Sequence, residues 1–224
     1  MKLSRENLED LGFIPFASDF FHTNSLYDKD KNKIETLDLS PFDIEEIDNH
    51  TFCHFITIKK LILPPSLKII HHHAFETCQN LEEIVFNDNL EFIGTSAFDN
   101  CALSSIKTPK NLRTIKECAF SRNFITKIAL NEGLERIEND AFSFNALEEI
   151  VIPSTVKVLE HTFADFQRVE GCTFAYMPKH LKNDYYPGVK VMDYDDLDKY
   201  SLDDIIASAK SFKEINNTYK EIER

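Results

Sequence analysis

The chain has no tryptophan, and only 5 glycines and 3 methionines among 224 residues. Gly12, Gly94, Gly133, Gly171 and Gly188 lie too far apart to build a glycine-rich phosphate loop, and no H-E-x-x-H pattern is present. Its five cysteines, Cys53, Cys78, Cys101, Cys118 and Cys172, form no C-x-x-C pair, and an odd set of this kind suits reduced thiols. No run approaches the roughly 18 apolar residues of a membrane span. The opening MKLSRENLEDLGF carries acids where a secretory leader carries an apolar core, so the expected compartment is cytoplasmic. The sequons Asn49-His50-Thr51 and Asn216-Asn217-Thr218 are then chance matches. Positive charge is also short. With 25 Lys and Arg against 38 Asp and Glu, the formal net charge of -13 argues against attraction to nucleic-acid phosphates or anionic membranes.

What the chain has in abundance is phenylalanine, 19 in all, and their placement is periodic. LKIIHHHAFETC aligns with LEFIGTSAFDNC, LRTIKECAFSRN and LERIENDAFSFN, with looser copies in IEEIDNHTFCHF and VKVLEHTFADF. The repeated aromatic falls at Phe52, Phe75, Phe98, Phe120, Phe142 and Phe163, in steps of 23, 23, 22, 22 and 21 residues. A fixed period of this length marks a solenoid in which each coil buries its apolar side against the next. Within a unit, Leu-x-x-Ile leads to Ala-Phe, and a second short strand follows. Its inward pairs are Leu61/Leu63, Ile84/Phe86, Ile106/Thr108, Ile128/Leu130 and Ile150/Ile152. Coils about 4.8 Å apart place the Phe rings in one stacked spine. Cys78, Cys101, Asn123 and Asn145, three residues after the Phe, stand where a side chain can satisfy buried backbone groups.

The fold class is therefore a solenoid of about six repeats of 21–23 residues, mostly β or α/β. Residues 1–33 form an N-terminal cap with a short helix from Ser4 to about Leu11, an aromatic strand-like FIPFASDFF and a polar turn DKDKNK. In IETLDLS, which follows, Leu37 and Leu39 point inward. Residues 34–171 are the solenoid. Residues 172–224 form a C-terminal cap, in which VKVM adds a last strand and an amphipathic helix from Ser201 covers the open end. The same helix offers a route to homo-oligomers through residues 201–222.

These residues and repeats resemble the BspA-type, or Treponema-type, leucine-rich repeats, whose units end in Ala-Phe and continue x-x-Cys-x-x-Leu-x-x-Ile-x-Ile-Pro. The resemblance covers about residues 34 to 171. It implies a right-handed leucine-rich-repeat solenoid with a parallel sheet on its concave side, no catalysis, and binding to other proteins.

The candidate partner site is the outward side of the second strand. Ile62, Val85, Lys107, Ala129 and Val151 lie between the inward pairs, preceded two places earlier by Lys60, Glu83, Ser105, Lys127 and Glu149. Small apolar side chains edged by mixed charge suit a protein partner, with a dry centre and a polar rim. A parallel column, Ile69, Phe92, Thr114, Arg136 and Val158, lies on the first arc. No catalytic residue, cofactor or metal is assigned. His71-His72-His73 occupy variable turn positions whose side chains diverge. The column His50, His73, Ser96, Cys118, Asp140 and His161 is polar but lacks a base with an orienting partner. The function read from the chain is a non-catalytic protein-binding module, in one specific form an inhibitor that sequesters its target. The alternatives are an assembly component that oligomerises through its C-terminal helix, an acidic mimic of nucleic acid drawing on DYDDLDKYSLDD, and a fragment of a cell-surface adhesin.

Overall fold

The computed structural model describes residues 1–18, 23–147, 149–160, 174–178, 181 and 190–193. Strand β1 (Lys2–Leu3) is followed by two 3-10 turns, Arg5–Asn7 and Glu9–Leu11. The expected α-helix from Ser4 takes this shorter form because Gly12, at φ 88°, closes the segment in the left-handed region before an α-helix can propagate. Leu3 and Leu8 are fully buried and pin the segment to the core. Strands β2 (Ile14–Ser18) and β3 (Thr23–Tyr27) pair antiparallel. In the following polar turn, Asp28 Oδ1 accepts the backbone N–H groups of Asp30 and Asn32 at 2.9 and 2.8 Å. This hairpin docks on the first full coil, where the Asn24 N–H reaches His54 O at 2.7 Å, and Arg5 of the first 3-10 turn lies 5.0 Å above the Phe55 ring.

From β4 (Thr36–Asp38) onward the chain coils, with Leu37 and Leu39 inward as expected. Each turn contributes a two-residue strand on a first arc and a three-residue strand on a second. The first arc holds β5 (Glu46–Ile47), β7 (Ile69–Ile70), β9 (Phe92–Ile93), β11 (Thr114–Ile115), β13 (Arg136–Ile137) and β15 (Val158–Leu159). The second arc holds β6 (Lys60–Ile62), β8 (Glu83–Val85), β10 (Ser105–Lys107), β12 (Lys127–Ala129) and β14 (Glu149–Val151). Strands β16 (Phe174–Met177) and β17 (Lys190–Asp193) extend the second arc in parallel, so VKVM does add a strand. The C-terminal helix from Ser201, together with Phe163, His161 and Cys172, lies outside the described residues.

The core is the interior of the coil. Phe52, Phe75, Phe98, Phe120 and Phe142 are all fully buried. Successive rings stack at 5.1, 5.2, 5.4 and 5.7 Å with interplanar angles of 10° or less. Ala74, Ala97, Ala119 and Ala141 beside them are also fully buried, since only a small side chain fits where the turns pass so close. Two columns of left-handed residues bracket this spine. His50, His73, Ser96, Cys118 and Asp140 lie two places before the Phe, with φ between 53° and 57°. His54, Thr77, Asn100, Arg122 and Phe144 lie two places after, with φ between 53° and 64°. The polar column noted in the sequence is thus first a backbone requirement, because short polar side chains tolerate this region better than β-branched or bulky ones.

The two arcs pair differently. The first arc runs unbroken as a seven-stranded sheet, β1-β5-β7-β9-β11-β13-β15. The second arc, expected to be one continuous face, is divided into β4-β6-β8, β10-β12 and β14-β16-β17. The first division has a cause in the sequence. Phe55 to Ile58 and Cys78 to Leu81 are three-residue steps at the corner before the second arc. Cys101 to Leu103, Asn123 to Ile125 and Asn145 to Leu147 are two-residue steps. One residue is missing from the corner that feeds β10, shortening its path by roughly 3.3 Å of extended chain relative to the coil above. Coils of equal corner length pair in register, as Lys60 with Glu83 and Ser105 with Lys127, whereas β8 and β10 do not pair. The second division, between β12 and β14, falls between coils of equal length, and nothing in the corner accounts for it.

Candidate functional site

The ten candidate residues of the second arc are brought together in three groups. Lys60, Ile62, Glu83 and Val85 sit on β6 and β8, with the Lys60 ammonium 2.7 Å from Glu83 Oε1. Ser105, Lys107, Lys127 and Ala129 sit on β10 and β12, all exposed. Glu149 and Val151 sit on β14, in register with Phe174 and Tyr176. Val85 is 41% exposed, unusual for a large aliphatic side chain in the middle of a repeat, while Ile62 and Val151 are half-buried.

Where β8 and β10 part, the surface opens into a groove of about 660 Å³. Glu83, Val85, Ser105, Lys107 and Ala129 line it, so half of the expected site faces one cavity. Periodicity alone missed Glu82, Phe86, Asp88, Lys110 and Asn131, which also line the groove. The missing corner residue before Leu103 was the available signal. Lys110 Nζ stands 3.0 Å from Asp88 Oδ2 at its edge, and that bond holds the Asp88 carboxyl below its usual range. The alternative column on the first arc, Ile69, Phe92, Thr114, Arg136 and Val158, is half-buried throughout. Arg136 itself pairs with Glu160, and the column's neighbours are engaged in ion pairs between coils, Lys68 with Glu45 and both Arg113 and Lys157 with Glu135. The second arc therefore offers the freer surface.

A different cluster occupies the turns around the Phe spine. The column two places before the Phe meets the column one place after it, three residues apart in each coil: His50 with Cys53, His73 with Glu76, Ser96 with Asp99, Cys118 with Ser121, Asp140 with Ser143. His73 Nδ1 lies 3.1 Å from Glu76 Oε2, and the Ser143 hydroxyl donates to Asp140 Oδ1 at 2.7 Å. The Cys53 thiol donates to Glu76 Oε2 at 3.7 Å, and the ligand atoms of His50, Cys53 and Glu76 all lie within 4.8 Å of one another. The single-column view of the sequence showed His50 and His73 but not Cys53, Glu76 or Asp99. The His71-His72-His73 run does diverge, although each ring is half-buried and bonded. His71 Nε2 is 2.9 Å from Glu46 Oε2, and His72 Nδ1 accepts the Thr95 N–H at 3.0 Å.

The thiols here are poor nucleophiles. Burial pushes Cys53 up to about 12, with the Glu76 carboxylate adding to the shift, and Cys118 up to about 11; Cys78 and Cys101 are raised well above the usual range by burial. Asp99 is also displaced. Burial, with the nearby Glu76 adding to it, pushes its carboxyl up to about 6 against the opposing ion pair with Arg122. Its Oδ1 is buried without a partner. Because the folded state holds the Asp99 proton more tightly than the unfolded chain does, stability is greatest below about pH 4 for this group and falls as pH rises through about 6. Asp99→Asn is accordingly expected to raise stability at pH 7.5 by about 1–3 kcal/mol, and the gain should vanish near pH 4. Urea unfolding at both pH values with a chelator present checks this; an equal effect at both would refute it.

A family model for the BspA type leucine rich repeat region matches residues 45–170 in six copies, and the chain belongs to that family. Solved structures similar to it include three leucine-rich-repeat proteins. A T. pallidum leucine rich repeat protein is 16% identical, covering 82% of this chain and 81% of its own, with a TM-score of 0.46. A leucine rich cell surface protein from Faecalibacterium prausnitzii is 16% identical at a TM-score of 0.44, covering 68% of this chain. The chain spans 53% of that protein's length. A leucine-rich-repeat protein from Bacteroides ovatus is 13% identical, with coverage of 81% and 66% and a TM-score of 0.32. Among curated proteins, no match was found. Repeats of this family typically serve as protein-interaction or surface-protein modules.

Proposed function

We propose that the chain is a non-catalytic binding module that holds an extended segment of a partner protein in the groove between β8 and β10. The observation that carries this is the groove itself, about 660 Å³ with Val85 and Ala129 on its walls and Glu83, Lys107 and the Lys110–Asp88 pair around them. The mixture of an apolar strip and charges of both signs suits a protein chain rather than a polyanion, and the net charge of -13 adds to that preference. The strand edges at the division are closed by no ladder, so an incoming strand finds backbone partners as well as side chains. A rigid solenoid orders little on contact, which limits the entropy lost on association. The specific form of the proposal is an inhibitor that acts by occupancy in the cytoplasm, where the free thiols of Cys53, Cys78, Cys101 and Cys118 stay reduced.

The test uses a partner captured from native extract by the parent chain, then titrated against parent and variant. Val85→Asp is expected to weaken binding at least tenfold, about 1.4 kcal/mol, without loss of the folding transition. Arg136→Glu, on the first arc, is expected to leave affinity within twofold. The reverse order would move the site to the first arc, and equal affinities for all three would abandon the repeat faces.

A further inference from the structure

We propose that His50, Cys53 and Glu76 form a binding site for a divalent transition-metal ion of the zinc class. Imidazole nitrogen, thiolate sulfur and carboxylate oxygen are the donors such an ion takes, and zinc accepts three protein ligands with water in the fourth place. The donor atoms here lie within 4.8 Å of one another. Tetrahedral bonds of 2.0–2.3 Å place neighbouring ligand atoms roughly 3.5 Å apart. Side-chain rotations of about an ångström close the difference.

The scaffold holds these donors in place. The Cys53 N–H donates to His50 O at 3.3 Å, closing a tight turn that puts both side chains on one side, and the His50 N–H is tied to His72 O at 3.2 Å in the next coil. Glu76 comes from that next coil, one repeat below Cys53. The His73 ring stacks on His50 at 4.7 Å and 2°, which fixes the plane of the His50 imidazole. Parallel rings cannot aim their lone pairs at one ion, so His73 is not a fourth ligand. Its Nδ1 instead lies 3.1 Å from Glu76 Oε2 and orients that carboxylate, the outer contact expected around a metal site. The Cys53 thiol already donates its proton to Glu76 at 3.7 Å. On binding, the cation takes the place of that proton, which leaves to solvent. Exposed His50 leaves the outer side open for entry and for a water ligand. Of the described coils only this adjoining pair combines all three donor types: the equivalent positions below hold Ser96 with Asp99, Cys118 with Ser121 and Asp140 with Ser143.

Titration of the reduced, chelator-stripped full chain with Zn²⁺, followed by calorimetry, is expected to show one equivalent bound and a higher thermal midpoint. Co²⁺ should give a thiolate-to-cobalt charge-transfer band. Cys53→Ser should abolish the band, and His50→Gln and Glu76→Gln should each weaken Zn²⁺ binding at least tenfold. A double variant, His71→Ala with His72→Ala, and a separate Cys172→Ser variant should bind as the parent does. X-ray absorption of the parent zinc complex should show one sulfur among nitrogen and oxygen neighbours, a readout that survives any failure of the variants to fold. No binding, a shell without sulfur, or binding lost in the His71/His72 or Cys172 controls would each overturn the proposal.

Discussion

Phe98→Ala is expected to lower the stability of the chain by about 3–5 kcal/mol, the loss typical of a fully buried aromatic truncated where the surroundings cannot collapse. The environment of Phe98 justifies the upper part of that range. Its ring is fully buried and stacks on Phe75 at 5.2 Å and on Phe120 at 5.4 Å, while Phe86 meets it edge-on at 6.3 Å. Three aromatic contacts end with one substitution, and backbone ladders on both sides hold the gap open. For a chain of this size each kcal/mol moves the thermal midpoint by roughly 2–4 °C, so a fall of roughly 6–20 °C should appear by circular dichroism. A second signature follows from the one-dimensional architecture. Each coil touches only its neighbours, so a weak middle coil uncouples the two halves and should broaden or split the transition. Phe124→Ala is the control, since that ring is 68% exposed. Similar losses for the two would refute the spine as the main source of cohesion.

Asn123→Leu is expected to cost about 3–5 kcal/mol although it preserves shape and adds apolar surface, because unmet buried polar groups each cost about 1–3 kcal/mol. Asn123 Nδ2 donates toward Phe98 O at 2.9 Å, Ser121 O at 3.0 Å and Phe120 O at 3.1 Å, while its Oδ1 accepts the Leu103 N–H at 3.1 Å. Leucine leaves Phe98 O and the Leu103 N–H buried and unmet, while Phe120 O keeps Asn145 Nδ2 and Ser121 O keeps the Asn100 N–H. Asn145 repeats the arrangement one coil later, with the Ile125 N–H on its Oδ1 at 2.9 Å. In the two coils before them a thiol suffices: Cys78 donates to Phe52 O at 3.1 Å and Cys101 to Phe75 O at 3.3 Å. Cys101→Ala removes one weak donor and a small volume, so its cost should be about 1–2 kcal/mol. Denaturant midpoints for the two variants decide the matter, and a Cys101 variant as unstable as the Asn123 variant would show that packing, not backbone satisfaction, selects this position.

The periodic part of the structure was legible because each of its rules is local. Ala-Phe at steps of 22 and 23 residues gave the coil, the buried spine and the inward pairs, down to Leu37 and Leu39 in the lead-in. A side chain three residues after the Phe could be assigned to backbone carbonyls, since those positions face buried groups that the strands leave unpaired. The rings of the His run point to Glu46, Thr95 and Glu76, not to one another. The binding groove was only half legible. Its walls lay in the columns identified, but its existence depends on β8 and β10 failing to pair. Cys53 and Glu76 were missed because each column was followed by itself, whereas the backbone brings two columns together in every turn.

The sequence by itself determined the solenoid and its core, because a repeat writes the same local energetics into every coil. Only the tertiary structure decided which arc forms a continuous sheet, where the second arc opens, and which polar side chains from successive coils meet. Those outcomes depend on differences between neighbouring coils, such as one residue fewer before Leu103 or a glutamate at 76 beneath a cysteine at 53. A difference of that kind acquires physical meaning only when the coils are stacked.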